Sequence, residues 1–300
     1  TGLAGGLHTV TVTDANGCTQ TDTVMLVNPP SVLATIISSN NPLCDTSLGD
    51  ATVTASGGTL PYTYIWSPAG GIGTTGIGLS GGVSYTVSVM DANGCMDIDS
   101  IELVAPPPIV LATVSVTDPS CANTSDGSIE ISATGGTGAY TYNWSPSVST
   151  ASLGNGLTDT TYTIQVVDSA GCFENVQISL SSPLPVTATI TGDSEICLGD
   201  TANLSVSATG GTPSYSYLWV SSGKQDSTLS ETPAVNTIYN AVVFDNNGCL
   251  DTSTFDVVVH PLPMVAFDAD TNSGCAPLTV VFDNLSDSAV SCSWDIGDGI

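Results

Sequence analysis

Basic residues are almost absent from this sequence. Its 300 residues include 28 Asp and Glu but a single Lys or Arg, Lys224, and the formal net charge is -27. Nucleic-acid binding needs clustered Lys and Arg side chains to neutralise phosphates, so this composition excludes it. Electrostatic attraction to anionic lipid is excluded for the same reason. With so few cations, surface ion pairs contribute almost nothing, and Thr, Ser, Asn and Gly must cover the surface.

Long hydrophobic runs and catalytic motifs are also missing. No stretch of 18 apolar residues occurs, so we expect no membrane insertion. The two histidines, His8 and His260, lie near neither a nucleophile elbow nor a metalloprotease motif, and no Walker loop is present. The nine cysteines include no CxxC pair, which disfavours a zinc site. We therefore predict no catalytic residues, no enzyme and no resident cofactor.

What the sequence does contain is a repeat. The pentapeptide "DANGC" occurs at 14–18 and 91–95, with "DSAGC" at 168–172 and "DNNGC" at 245–249. Their cysteines are 77 residues apart, a second cysteine series steps by 77, 76 and 78, and the tryptophans step by 78, 75 and 75. A unit of this length is long enough to be a small domain with its own core. The chain is therefore predicted to be a tandem array.

Each repeat has the pattern of a β-sandwich. Segments such as "VLATVSVT", "AYTYNWS" and "TYTIQVVD" alternate apolar and polar residues with a period of two, and helix signals are absent. About seven short strands with a tryptophan on the third are typical of immunoglobulin-like and fibronectin-like sandwiches. The fold class is therefore predicted to be all-β, with sandwich modules arranged end to end.

Proline-rich joints at 28–30, 105–108, 182–185 and 260–263 separate the modules and favour extended, stiff connections. We expect the chain to be a piece of a longer protein, with targeting signals outside it. The expected segments are 1–30, the C-terminal part of a truncated sandwich; 31–107, 108–184 and 185–262, three sandwiches; and 263–300, the N-terminal part of a further sandwich.

The "DxNG" letters predict a hairpin turn, because Asp and Asn bond their own backbone and Gly accepts positive φ. The alternative is calcium, since oxygen ligands on an acidic chain suit a hard cation. The candidate ligands are Asp14, Asp91, Asp168 and Asp245. Each turn offers only two or three side-chain oxygens, so the turn interpretation is preferred.

Two families resemble parts of this chain. The segments "GGTLPYTYIWSP", "GGTGAYTYNWSP" and "GGTPSYSYLW", each followed by "YTVSVMDANGC" or its equivalent, resemble the SprB-type repeats of giant Bacteroidota surface adhesins. Residues 274–299 resemble the start of a polycystic-kidney-disease (PKD) domain, with Ile296 in place of the usual Phe. The resemblance implies an exported protein carried by type IX secretion to the bacterial cell surface, acting in adhesion, gliding motility or a surface filament.

The resemblance also implies O-glycosylation of Asp-(Ser/Thr)-apolar or Asp-(Ser/Thr)-Thr triplets. Glycans would mask apolar surface that a charge-poor chain leaves exposed. Seven hydroxyls fit this rule, and they are Thr23, Ser100, Thr160, Ser169, Thr201, Ser227 and Ser288.

Regularly spaced cysteines predict disulfides in an oxidising, extracellular compartment. The candidates are Cys18, Cys44, Cys95, Cys121, Cys172, Cys197, Cys249, Cys275 and Cys292. Pairing within modules would give Cys44–Cys95, Cys121–Cys172 and Cys197–Cys249. Pairing between modules would give Cys44–Cys172, Cys121–Cys249 and Cys197–Cys292. We expect five strands between the two cysteines of a module, and an odd number of antiparallel strands places the two cysteines at opposite ends of the sandwich. An even number of strands would instead favour pairing within the module. The two arrangements stay open.

Repeated aromatic residues have two interpretations. Tyr140, Tyr142 and Trp144 alternate on one strand face, which favours core packing over a sugar-stacking platform. The function indicated is a structural stalk segment of a secreted adhesin or filament. The alternatives are a polysaccharide- or protein-binding module and a self-assembling fibre subunit. Expected partners are neighbouring modules, surface polysaccharide, outer-membrane motility or secretion machinery, and copies of the chain itself.

Overall fold

A computed structural model describes residues 2–295 of the chain. Every regular element in these residues is a β-strand, which confirms the all-β prediction. The "WDIGDG" motif of the predicted PKD-like start, including Ile296, extends outside the described residues. In the described part of the chain, no helix has the length and hydropathy needed to cross a membrane.

The chain forms two compact units. The first comprises Thr1–Val116, Ile129–Asn155 and Thr161–Ile178; the second comprises Thr117–Ser128, Gly156–Thr160 and Ser179–Ile300. The second proline joint, at 105–108, lies in the first unit, and the third, at 182–185, in the second. This division cuts through the predicted segment 108–184, and the five predicted domain limits stay a prediction.

The first unit begins with a hairpin and continues with a two-sheet sandwich. The hairpin strands are β1 (Gly6–Thr13) and β2 (Thr19–Leu26). The sandwich strands are β3 (Leu33–Asn40), β4 (Gly49–Ser56), β5 (Thr63–Ser67), β6 (Thr75–Leu79), β7 (Ser84–Met90) and β8 (Met96–Glu102). Strands β3, β4 and β6 form one sheet, and β5, β7 and β8 form the other.

Period-two alternation explains how this sandwich forms. Along β4, Ala51 and Val53 are buried, and along β7 so are Tyr85, Val87 and Val89. Because neighbouring side chains on a strand point to opposite faces, each sheet presents one apolar face. The two faces meet in a core that also contains one tryptophan per repeat, here Trp66.

The next repeat has the same strand plan. Its strands are β9 (Val110–Thr117), β10 (Gly127–Thr134), β11 (Thr141–Ser145), β12 (Leu153–Leu157), β13 (Thr161–Val167) and β14 (Phe173–Ser179). They form sheets ordered β12-β10-β9 and β11-β13-β14, so β9 lies at a sheet edge.

In the second unit, the segment 185–262 has seven strands. They are β15 (Thr187–Gly192), β16 (Glu195–Cys197), β17 (Ala202–Thr209), β18 (Ser216–Trp219), β19 (Thr228–Glu231), β20 (Thr237–Phe244) and β21 (Leu250–His260). The extra strand, β16, pairs in parallel with the end of β21, with Cys197 opposite His260. Further along, the described residues form the short pair β22 (Phe267–Ala269) and β23 (Phe282–Asn284).

Six strands, rather than seven, therefore occur in 31–107 and in 108–184. The residues around Cys44 in the first sandwich form a turn closed by the Ser47 amide bonding the Cys44 carbonyl, and they make no ladder like that of β16. The expected immunoglobulin-like or fibronectin-like sandwich is confirmed, with one strand fewer in these two repeats.

Candidate functional site

The pentapeptide turn is built around a buried carboxylate. In 91–95, Asp91 Oδ1 accepts hydrogen bonds from the amides of Asn93 (2.9 Å) and Cys95 (2.8 Å), while Oδ2 accepts from the Thr59 amide (2.8 Å). The turn therefore closes on itself and is also tied to the loop after β4. Asp168 and Asp245 make the same three bonds in the later repeats.

Two glycines, Gly57 and Gly58, allow the loop after β4 to approach the turn closely enough for the hydrogen bond between Thr59 and Asp91. Gly58 has a φ of +59°, and a Cβ there would lie 2.7 Å from Asp91 Oδ2 and 2.6 Å from Val32. Gly136 and Gly211 meet Asp168 and Asp245 in the same way. The triplet "GGT", present in all three repeats, was the sequence signal for this contact, although the sequence alone gave it no structural role.

Burial and backbone hydrogen bonds together set the pKa values of the three turn aspartates. Burial raises the pKa of Asp91, but the amides of Thr59, Cys95 and Asn93 lower it more, so the pKa lies below its ordinary value. Asp168 and Asp245 have lowered pKa values for the same combination of causes. The carboxylate is thus ionised at neutral pH and is solvated by backbone N–H groups.

In the repeats 31–107 and 108–184, the other cysteine lies in a loop held by a hydroxyl three residues later. Ser47 Oγ accepts from the Cys44 amide (2.8 Å) and donates to the Cys44 carbonyl (3.0 Å). Thr124 does the same for Cys121, and it also lies 2.7 Å from a carboxylate oxygen of Asp126. Hydrogen bonds from the side chains of Ser120 and Thr124 and from the Ser120 amide lower the pKa of Asp126 to about 2.

The structure joins the loop cysteine of one repeat to the turn cysteine of the next. Cys44 is bonded to Cys172, and Cys121 to Cys249, each across 128 residues with Cα atoms 5.6 Å apart. The first bond lies within the first unit and the second within the second unit. This is the between-module arrangement that the sequence left open.

Direct contacts accompany both bonds. The sulfur of Cys172 lies 3.3 Å from the Leu43 carbonyl oxygen, and that of Cys249 lies 3.4 Å from the Ser120 carbonyl oxygen. At the second bond, Asn247 Nδ2 also donates to the Ser120 carbonyl (3.0 Å) and to Thr212 Oγ1 (3.1 Å). The equivalent position at the first bond is Ala170, which has no side-chain amide to offer.

The within-module arrangement is wrong, and the reason is distance. In the first sandwich, Cys44 precedes the start of β4, where Gly49 approaches Leu103, while Cys95 follows Asp91 beside the end of β4. Eight extended residues separate these ends by about 25 Å, whereas bridged Cα atoms lie within about 7 Å. In the last sandwich, Cys197 pairs with the end of the 11-residue β21 and Cys249 precedes its start.

The strand count behind the sequence argument was also wrong. Four strands, β4 to β7, lie between Cys44 and Cys95, instead of five. β6 is antiparallel to β4 and β5 is antiparallel to β7, and β4 and β7 end on the same side at the Asp91–Thr59 bond. Hence β5 and β6 run in the same direction on different sheets, which keeps the two cysteines at opposite ends despite the even count.

Five cysteines have exposed free thiols in the described residues: Cys18, Cys95, Cys197, Cys275 and Cys292. The expected bond between Cys197 and Cys292 is therefore wrong, since both residues belong to this group. Cys197 lies in β16, beside the end of β21, and Cys292 lies in the segment after β23.

The remaining predicted sites are distributed along the surface. Six of the seven candidate glycosylation hydroxyls are exposed, and Ser227 is half-buried. Ser169 already donates to the Thr137 carbonyl (2.6 Å). Glycosylation stays a prediction.

Calcium binding finds little support in the donor groups. The four aspartates, Asp14, Asp91, Asp168 and Asp245, lie in four separate turns, and each carboxylate already accepts backbone amides. Ca²⁺ takes about six to eight oxygen ligands. In residues 2–295, no group of three or more His, Cys, Asp or Glu is arranged to hold a metal ion. These donor groups favour the turn interpretation, and calcium binding stays a prediction.

The aromatic residues pack in the cores. Trp66, Trp144 and Trp219 are buried, and each indole donates to a backbone carbonyl, at 2.9 to 3.0 Å. Tyr62 and its equivalents, Tyr140 and Tyr215, are half-buried, and their hydroxyls bond a Gly carbonyl. These positions favour the structural interpretation over a sugar-stacking platform.

The two histidines make local polar contacts. His260 lies 3.3 Å from Glu195 at an exposed position, and His8 bonds the Ala4 carbonyl (2.7 Å). Neither contact involves a Ser, Thr or Cys side chain that could serve as a nucleophile.

Comparison with known families finds the SprB repeat at residues 36–71 and 113–149. This confirms the predicted resemblance for two of its three segments, and the third, at 210–219, lies outside the matched residues. A search of curated proteins finds no match.

Solved structures with similar arrangements include three N-terminal domains of the outer capsid protein Hoc of bacteriophage RB49, at 14% identity over 77% of this chain and 100% of that chain, TM-score 0.31. Others are the bacterial integrin-binding protein invasin, at 10% over 86% and 68%, TM-score 0.30, and the eight N-terminal Ig domains of Down syndrome cell adhesion molecule, at 13% over 94% and 48%, TM-score 0.29. Scores this low carry no functional argument.

The SprB repeats and the two disulfides support an extracellular, adhesin-like repeat module. Disulfides form and persist in oxidising compartments, which agrees with this assignment.

Proposed function

We propose that this chain is a structural stalk segment of a large secreted adhesin or extracellular filament. It provides reach and rigidity in adhesion or gliding on a bacterial cell surface. The observation that supports this most strongly is the covalent bond from the loop of one repeat to the turn of the next, made twice with the same 128-residue separation.

A second covalent connection is what a stiff joint requires. A single backbone linker permits rotation about its own bonds, even when proline restricts φ. A disulfide placed between the cysteine loop and the pentapeptide turn removes most of that freedom. The turn is suited to this role because the buried Asp168 carboxylate holds the Cys172 amide and also the Thr137 amide of the neighbouring loop.

The finer parts of the proposal come from the SprB and PKD resemblance. They are an origin in Bacteroidota and export by type IX secretion. Action without catalysis is proposed separately, from the absence of catalytic motifs in the sequence. The proposed partners are neighbouring modules of the same long chain, and also surface polysaccharide, outer-membrane motility or secretion machinery, or copies of the chain. The net charge of -27 supports a surface that repels nucleic acid and anionic lipid.

Small-angle X-ray scattering of the oxidised chain tests the proposal. A stiff stalk should give a cross-section matching one sandwich and a maximum dimension that grows by a constant increment per repeat in chains of two and three repeats. A compact particle, or an increment that vanishes, would overturn the stalk. The same chains are also tested on a glycan array. Saturable binding to a glycan would favour a polysaccharide-binding module over a stalk.

One observation favours the fibre alternative enough to test it. The edge strand β9 exposes Val110, Val114 and Val116, with Val114 57% accessible. An exposed apolar edge strand is a template for pairing with another chain. Sedimentation of the wild type and of Val114→Lys decides: a concentration-dependent polymer lost in the variant supports a fibre subunit, and monomers in both contradict it.

A further inference from the structure

The two disulfides close covalent rings that overlap in sequence. One ring runs from Cys44 to Cys172, and the other from Cys121 to Cys249. Cys121 therefore lies inside the first ring, and Cys172 lies inside the second. Neither ring can be opened to full length by pulling on the chain ends while both bonds are intact.

The overlap sets the shortest covalent path between Cys44 and Cys249. It crosses the first bond to Cys172, follows the backbone in reverse to Cys121, and crosses the second bond to Cys249. This path contains about 50 residues and extends to about 180 Å, whereas the backbone alone contains about 200 residues and extends to about 700 Å. Any load between these cysteines falls first on the shorter path.

The segment on that path is the middle of one repeat. Strands β10, β11, β12 and β13 lie between Cys121 and Cys172. Both ends of the segment are anchored locally: Thr124 holds the Cys121 backbone, and Asp168 holds the Cys172 amide. Strands β4 to β9 and β14 to β20 lie on longer branches of the covalent network, so they are relieved of load once the short path is taut.

We propose that the overlapping disulfides act as an extension limiter, which caps the unfolded length of this region and protects the flanking repeats from stretching. The limiter rests on the proposed function for its purpose, because only a load-bearing chain needs it. Its physical basis is the covalent connectivity alone, so the two ideas fail in different experiments.

Single-molecule force spectroscopy measures the limit directly. The whole chain is held by handles at its two ends and stretched until fully extended, first oxidised and then in dithiothreitol. Each disulfide accepts two electrons and two protons from the dithiol, which becomes a cyclic disulfide, and both cysteines become thiols. The contour length should increase on reduction by about 500 Å, the difference between the two paths.

Cysteine variants distinguish overlapping rings from disulfides formed within each repeat. Cys44→Ser with Cys172→Ser leaves one bond, and the shortest path becomes about 77 residues, or about 270 Å. The pair Cys121→Ser with Cys249→Ser should give the same length, since the remaining path is equally long. Cys95→Ser with Cys197→Ser, the matched control at exposed thiols, should leave the oxidised length unchanged.

The result that overturns the limiter is equally specific. Local bonds within each repeat would leave about 150 residues extensible in the first variant, instead of about 77. No change on reduction would also contradict the proposal. The readout survives poor folding of a variant, because fully extended length depends on which cysteines are bonded, and peptide mapping of the same samples identifies those bonds.

Discussion

Removing the Cys121–Cys249 bond should destabilise the second unit by several kcal/mol. In the chain-entropy model a disulfide acts by restricting the unfolded chain, and the restriction grows with the length of the ring. The ring here spans 128 residues. If all the residues of the ring unfold, including those that belong to the first unit, that length corresponds to about 5 kcal/mol at room temperature. If only the segment 185–262 unfolds while the preceding repeat stays folded, the ring is shorter and the effect is about 4 kcal/mol.

The assay is thermal or urea unfolding of Cys121→Ser with Cys249→Ser, followed by tryptophan fluorescence, to which the buried Trp219 of the second unit contributes. For a unit of this size, a loss of this magnitude lowers the melting temperature by about 10 to 20 °C. The control is Cys95→Ser with Cys197→Ser, whose exposed thiols contribute no ring. An unchanged melting temperature in the first variant, or an equal loss in the control, would refute the reasoning.

Three further predictions concern single side chains. The pKa of Asp245 in the folded protein lies below its ordinary value, so the ionised carboxylate stabilises the turn above about pH 4. This stabilisation is lost as the pH falls through the folded pKa. Asp245→Asn should therefore flatten the acidic part of a plot of urea midpoint against pH. Leu79→Ala, at a fully buried site, should cost about 2 to 5 kcal/mol in calorimetry, whereas the exposed Ile65→Ala should change little. Asn247→Ala removes both amide bonds and should speed reduction of Cys121–Cys249 by dithiothreitol, measured by thiol trapping, with the Cys44–Cys172 rate unchanged.

Periodicity was enough to predict the longer alternating strands and the face they bury. In "TYTIQVVD", which forms β13, the alternation marks Tyr162, Ile164 and Val166, and the structure buries all three. This works because a sheet face is set by local geometry that every second residue shares. The turn at 91–95 was predictable for the same reason, since its letters specify local hydrogen bonds.

Non-local features were beyond the sequence. The contact of Asp91 with Thr59 joins residues 32 apart, and the repeated "GGT" triplet that contains Thr59 does not indicate which residue it contacts. The three-residue strand β16 carries too few residues to show a period, and its pairing with β21 depends on a segment 63 residues away. The direction shared by β5 and β6, which decides where the cysteines lie, is a property of the whole sandwich that no single segment encodes.

The buried aspartate explains why the bridging cysteine follows this particular turn. One carboxylate holds the Cys249 amide, the turn and the Thr212 loop, so the sulfur is fixed relative to the core containing Val243. A cysteine on a loosely held loop would move under load before its bond became taut, and the joint would remain flexible. In the proposed stalk, a cysteine one residue beyond the glycine, on an amide that the carboxylate binds at 2.8 Å, would transmit force from the disulfide directly into the sheet formed by β20 and β21.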